Sequence, residues 1–208
     1  MVLDVEKAAR WIHRLNGKIQ EQKQYLTDLD QAIGDGDHGI NLARGFQEAA
    51  NAISANSYQD LGALCKDVAM TLIGKVGGAS GPLYGTAFMK LSMAWKGQKE
   101  IDREALAKGF KDALEGLKMR GKAQPGDKTM IDVWEPAVAY MAGEGPLNGE
   151  ELASVAKEKM EGTKELEAKK GRAAYLGKRS IGHIDPGAAS SYLLFSTLAE
   201  VIGEGESA

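Results

Sequence analysis

Three carboxylates, a histidine and three glycines fall within ten residues, in Asp30-Gln-Ala-Ile-Gly-Asp35-Gly-Asp37-His38-Gly39. Like charges packed this closely repel unless a cation lies between them. Carboxylate oxygens with no thiol nearby suit a hard ion, and Mg2+ is the usual one where phosphates share the coordination. Asp30, Asp35 and Asp37 are therefore the candidate metal ligands. Helix capping and turn formation explain one such aspartate readily, and three with a glycine between two of them poorly. An EF-hand does not fit, because counting from Asp35 its bidentate glutamate position is Phe46.

Gly34 to Gly39 formally spells G-x-G-x-x-G, and the match misleads. A dinucleotide fingerprint needs a preceding strand and amides facing the pyrophosphate. Here the preceding residues have helical spacing, and Asp35 and Asp37 would repel phosphate directly. Bridged by Mg2+, the same carboxylates would hold it. No Walker A sequence is present, which excludes an ordinary P-loop. His38 beside the carboxylates is a candidate for phosphate or metal-water contact, against the plainer reading of a hydrogen-bonded turn residue. No catalytic triad is supported.

The elements that must position this stretch read as helices throughout. Apolar positions at Val5, Ala8, Ile12, Leu15, Ile19 and Leu26 predict a helix over 4–27. Further helices are predicted over 39–53, 61–72, 83–96, 106–117 and 131–141, the last with Pro136 as a kink or a later start. Asn148 caps a seventh, carried through Leu166 with a Glu165–Lys169 pair. Asp185-Pro186 reads as the cap and first residue of the eighth, the most apolar and so the most buried. No alternating strand pattern appears, so the fold class is all-α. Short connections favour antiparallel neighbours in an up-and-down bundle. In such a bundle the first, third, fifth and seventh connections lie at one end. They hold Asp30–Gly39, Gly77–Gly81, Gly121–Lys128 and Arg179–Gly187. Gly77–Gly81 suits a backbone nest for phosphate oxygens, or a plain flexible connection. Lys128 and Arg179 read first as solvated surface charges, with Arg179 the more interesting for its place on that end. Met130 and Leu83 could pack an adenine face, against a default of core packing.

Composition bounds the rest. The chain has 208 residues, 43% hydrophobic and 26% charged, with net charge −3, which leaves no basic footprint for nucleic acid or an anionic membrane. Cys65 is the single cysteine and reads as a reduced core residue, fitting a cytoplasmic protein. Asp4, Glu6, Lys7 and Arg10 predict no secretory leader. One domain is expected over 1–203, with a frayed tail at 204–208.

Four segments, Ile33-Gly-Asp-Gly-Asp-His-Gly-Ile-Asn41, Val76-Gly-Gly-Ala-Ser-Gly-Pro-Leu83, Arg120-Gly-Lys-Ala-Gln-Pro-Gly-Asp-Lys-Thr-Met130 and Gly171 to Ala188, occur in order over nearly the whole chain. Together they resemble the L subunit of bacterial dihydroxyacetone kinase. The resemblance implies an eight-helix antiparallel barrel with ADP at one end, held through two Mg2+ ions on Asp30, Asp35 and Asp37. It implies nucleotide contacts from His38, Gly39, Ile40 and Asn41, from Ala79, Ser80 and Leu83, from Gly121, Thr129 and Met130, and from Arg179 and Asp185, Pro186 and Gly187. Catalytic roles fall to Arg179 and His38, with Arg172 the alternative to Arg179. The implied partners are a K subunit holding dihydroxyacetone and an M subunit whose phosphohistidine rephosphorylates the bound ADP to ATP; a homodimer is a further possibility. Exchange with free ATP, a helical metal-dependent hydrolase and a nucleotide-sensing adaptor are the competing readings.

Overall fold

The structure, a computed structural model, describes residues 2–204. Among them are nine α-helices. They are α1 (Val5–Glu21), α2 (Lys23–Ile33), α3 (His38–Ala55), α4 (Leu61–Lys75), α5 (Ser80–Ala94), α6 (Arg103–Gly121), α7 (Ile131–Ala142), α8 (Gly149–Gly162) and α9 (Pro186–Gly203). The first predicted helix is thus two, interrupted at Gln22, whose N–H still reaches the Lys18 carbonyl at 2.9 Å. It also runs on to Ile33, so Asp30 sits in a helical turn and not in a loop. Helix α7 runs through Pro136 without interruption.

Five helices start on a side-chain cap. Asp4, Asp60, Asp102, Asn148 and Asp185 accept from the N–H groups of Lys7, Ala63, Ala105, Glu151 and Ala188. Each such bond is worth about 1 kcal/mol. Helix α8 ends at Gly162, four residues short of the predicted Leu166, and Thr163–Glu165 tighten into a 3-10 turn. The expected Glu165–Lys169 pair is not formed among the described residues. Two short strands, Leu3–Asp4 and Glu100–Ile101, pair antiparallel with Leu3 opposite Ile101. Two residues are too few to show a period of two, which is why no strand was expected.

Successive helices pack side by side, and α9 packs on α1, α7 and α8. Helix α3 runs antiparallel to α2 and α1. Its Ala43 carbonyl accepts from Gln20 Nε2 at 2.7 Å, and Gln47 meets Asn16 a turn further on. Gly39 makes the close start of α3 possible, since a Cβ there would lie 2.1 Å from the Lys23 carbonyl oxygen. The core centres on Trp11, Trp95 and Trp134 with Phe88, Phe110 and Phe195, ring centroids 5.0–6.0 Å apart. Helix α9 is buried over most of its circumference, as its apolar sequence predicts. Cys65 is buried, and burial pushes its thiol well above the usual range, so it is chemically quiet. The predicted tail lies outside the described residues except for Glu204, which pairs with Arg14 and Arg10. No described helix is long and apolar enough to cross a membrane.

Candidate functional site

The connections after α2, α4, α6 and α8 converge on one cavity of about 440 Å³. That is the set of connections expected at one end of an up-and-down bundle. A consequence went unread in the sequence: the same end gathers the N-termini of α3, α5, α7 and α9. His38, Ser80, Met130, Pro186 and Gly187, at or next to those helix starts, line the cavity. Helix N-termini carry a partial positive charge that favours an anion; at α3 and α9 Asp30 and Asp185 already take N–H groups, while α5 starts without a side-chain cap.

The carboxylates stand at the same cavity. Asp30, on the last turn of α2, accepts from the backbone N–H groups of Asp37 and His38 at 2.8 and 3.1 Å, both on Oδ2. Those two bonds fold the 34–37 loop back over the helix end. Gly36 takes φ +75° in the turn, and a Cβ on Gly34 would lie 2.1 Å from Asp30 Oδ1. One ligand atom from each of Asp30, Asp35 and Asp37 then lies within 4.8 Å of the others. Asp37 occupies the cap position of α3 without making a cap bond, so the capping explanation fails for it. An all-oxygen, triply acidic donor set fits a hard divalent cation. Arg172 already meets Asp35 at 2.9 Å, one positive charge against three negative.

His38 is buried between two hydroxyls, Nδ1 2.9 Å from Ser80 Oγ and Nε2 3.0 Å from Ser190 Oγ. Burial lowers its pKa to about 4 against the pull of Asp30, the Pro186 carbonyl and Asp35, so the ring is neutral. Of the nucleotide-contact candidates, Ala79, Ser80, Leu83, Thr129, Met130, Asp185, Pro186 and Gly187 line the cavity with His38. Gly39, Ile40, Asn41 and Gly121 do not. Asn41 lies beneath the α4–α5 connection, where a Cβ on Gly77 would come within 2.9 Å of its Oδ1. Gly121 lies against Leu83. Arg179 is exposed and away from the cavity wall, whereas Arg172, the alternative, lines it.

Lys128 is the largest departure from expectation. It is 1% exposed, not solvated, and its ammonium donates to the carbonyls of Thr163 at 2.7 Å, Leu166 at 3.1 Å and His183. All three ammonium hydrogens are thereby used. Desolvation lowers its pKa, opposed by Asp185, Asp132 and Glu165. Tyr84, also missed, lines the cavity beside Ser80.

Asp185 sits beside the cavity with its pKa raised to about 7, burial being the main cause and the Ala188 N–H and Lys128 opposing it. A raised carboxyl pKa means the folded chain binds more protons than the unfolded one between about 3.8 and about 7. Stability is therefore lost as pH rises through that window. Asp185→Asn keeps an oxygen for the Ala188 cap, so the ligand-free variant should melt above the parent at pH 8. The gain should vanish by pH 4, as followed by thermal melts across that range.

Comparisons with known proteins show the family. The DAK2 domain model matches residues 32–200. The chain is 50% identical over 96% of its length, and 98% of the relative's, to "PEP-dependent dihydroxyacetone kinase 1, ADP-binding subunit DhaL" of Listeria innocua. It is 45% identical over 97% of its length to the whole of "PTS-dependent dihydroxyacetone kinase, ADP-binding subunit DhaL" of Lactococcus lactis. The dihydroxyacetone kinase from C. freundii in complex with AMP-PNP and Mg2+ superposes with TM-score 0.74 at 26% identity, over 96% of this chain and 34% of that one. The chain thus belongs to the DAK2 domain family, and at full length it is similar to the ADP-binding subunits of bacterial dihydroxyacetone kinases.

Proposed function

We propose that this chain is the nucleotide-carrying subunit of a phosphoenolpyruvate-dependent dihydroxyacetone kinase. It takes a phosphoryl group from a phosphohistidine on an M subunit and passes it to dihydroxyacetone held by a K subunit. The observation that carries the reading is that the carboxylate trio and the starts of four helices line one cavity. Anion and cation sites so close together suit a nucleoside diphosphate bridged by a divalent metal. The volume, about 440 Å³, falls in the range of small-ligand pockets.

When bound, ADP supplies the carrier for the phosphoryl group, and two Mg2+ ions offset the charge on its phosphates. Asp30, Asp35 and Asp37 would hold the metal, and the backbone N–H groups at Gly78–Ser80 and Gly187 would cradle phosphate oxygens. Leu83 and Met130 offer apolar surface to the base. With Asp35 given over to metal, Arg172 would be free of it, and its guanidinium could fork onto phosphate oxygens. Arg179, exposed on the strap that follows, is free to complete the site from the partner's side. Exposed apolar side chains on segments bordering the cavity, Ile40, Tyr175 and Ile181, suit docking of partner subunits. Buried His38, its pKa lowered to about 4, is a weak base for the substrate hydroxyl. The proton acceptor belongs to the K subunit. A cytoplasmic location follows from this role.

The test is the content of the purified protein. Heat release after gentle purification should free ADP, with about two Mg2+ per chain by metal analysis, if the three carboxylates share two ions. A fully helical preparation that holds no nucleotide and takes none up would sink the proposal. Rapid chase of the bound ADP by radiolabelled ATP would instead indicate an ATP-exchanging kinase.

A further inference from the structure

Behind His38 runs a chain of buried hydroxyls that ends in the core. The Trp134 indole N–H donates to Ser191 Oγ at 3.0 Å. Ser191 Oγ lies 3.2 Å from the Tyr84 hydroxyl, which lies 2.7 Å from Ser190 Oγ. Ser190 Oγ has two further partners, His38 Nε2 at 3.0 Å and the Gly187 carbonyl at 3.1 Å. His38 Nδ1 in turn meets Ser80 Oγ at the cavity wall, 2.9 Å away.

Each hydroxyl has one hydrogen and a neutral imidazole has one, so the chain has a direction. An indole only donates, so bonding every hydrogen within the chain sets the inner half. Ser191 accepts from Trp134 and gives its hydrogen to Tyr84, and Tyr84 gives its own to Ser190. From Ser190 outward, these partners allow two arrangements, with the Pro186 carbonyl a further acceptor beside the ring in either. In one, Ser190 donates to the Gly187 carbonyl, His38 Nε2–H donates to Ser190, and Ser80 donates to Nδ1. The Ser80 oxygen then shows the cavity only lone pairs. In the other, Ser190 donates to Nε2, Nδ1–H donates to Ser80, and the Ser80 hydrogen is left for an acceptor in the cavity. No proton enters or leaves the protein between the two, which suits a ring that burial keeps neutral.

We propose that His38 is a tautomer switch governed by what occupies the cavity, with Ser190 as the positioning residue whose hydroxyl turns between Gly187 and His38. Without a ligand the Nε2–H form keeps all the hydrogens within the protein. A phosphate oxygen at Ser80 needs a donor and selects the Nδ1–H form, so one hydroxyl serves both states without an unpaired buried group. The inference rests on the reading of the cavity as a phosphate site.

The test is ring 15N NMR of histidine-labelled protein. Only three histidines are present, so His38 is assigned by substituting His13 and His183 in turn. Nucleotide-free protein should show Nε2 protonated, and protein loaded with ADP and Mg2+ should show Nδ1 protonated. Ser190→Ala removes the turning hydroxyl. It should abolish the conversion and weaken ADP about tenfold by calorimetry, the loss of roughly one buried hydrogen bond. Tyr84→Phe leaves the Ser190 hydroxyl in place, and the conversion should persist. ADP that binds while His38 keeps one tautomer overturns the switch alone. ADP that does not bind at all overturns the phosphate reading and the switch with it.

Discussion

Lys128→Met is expected to destabilise the nucleotide-free protein by about 3–5 kcal/mol, a fall in melting temperature of roughly 10 °C for a chain of this size. Replacing both members of a buried polar pair by apolar groups is often neutral, but here the acceptors are backbone carbonyls that no substitution removes. The carbonyls of Thr163, Leu166 and His183 would all lose a charged donor together. They belong to the segment between α8 and α9, so the damage should concentrate there and loosen the wall that carries Asp185 to Gly187. Lys128→Gly separates side chain from backbone. Lys128 has φ 59°, which glycine adopts without strain, so the backbone change alone would stabilise by about 1 kcal/mol. If the ammonium matters as argued, Lys128→Gly also melts well below the parent in thermal and denaturant unfolding. A glycine variant more stable than the parent would show that the three carbonyl bonds contribute less than the backbone gain of about 1 kcal/mol.

Lys128 also marks where sequence reasoning stops. A lysine in a glycine-rich connection reads as solvated, because nothing local says that three carbonyls 35, 38 and 55 residues away will enclose it. The same contacts end α8 early. The periodicity through Leu166 continues the helix on paper, but Thr163 Oγ1 accepts from the Asp185 N–H at 3.0 Å. The Thr163 and Leu166 carbonyls go to Lys128, so tertiary bonds outweigh local preference. What was legible had local chemistry behind it. Apolar spacing showed the helices, Asn148 and Asp185 announced their caps, and three aspartates around a glycine turn announced a carboxylate cluster. The alternation of connections then placed the loops at one end without any distance information. It does not separate Arg172 from Arg179, since both lie on the same connection, and of the two Arg172 lines the cavity. The four helix N-termini needed no coordinates either; they follow from the same alternation once the helix directions are counted.

Asp37→Asn should weaken binding of Mg2+ and ADP together, by at least about a hundredfold, since a hard ion's affinity depends on the number of charged ligands. At a ligand level that saturates the parent, a hundredfold loss removes up to about 2.7 kcal/mol of linked stability. The melting temperature of the loaded protein should therefore fall by roughly 5–10 °C. The nucleotide-free variant should melt no lower than the parent, because one of three clustered negative charges is gone. Asp37 is the right member of the trio for this test. Its side chain makes no cap bond, and its part in the fold is through its backbone, which donates to Asp30 and accepts from the Asn41 N–H at 2.9 Å. Asp30 is the wrong one, since its carboxylate holds the Asp37 and His38 N–H groups and its loss would disturb the loop as well as the metal. The two effects have opposite signs in Asp37→Asn, destabilising with ligand and neutral or stabilising without, and a purely structural aspartate cannot produce that pattern. Parental metal and nucleotide occupancy in Asp37→Asn would remove the carboxylate trio from the site.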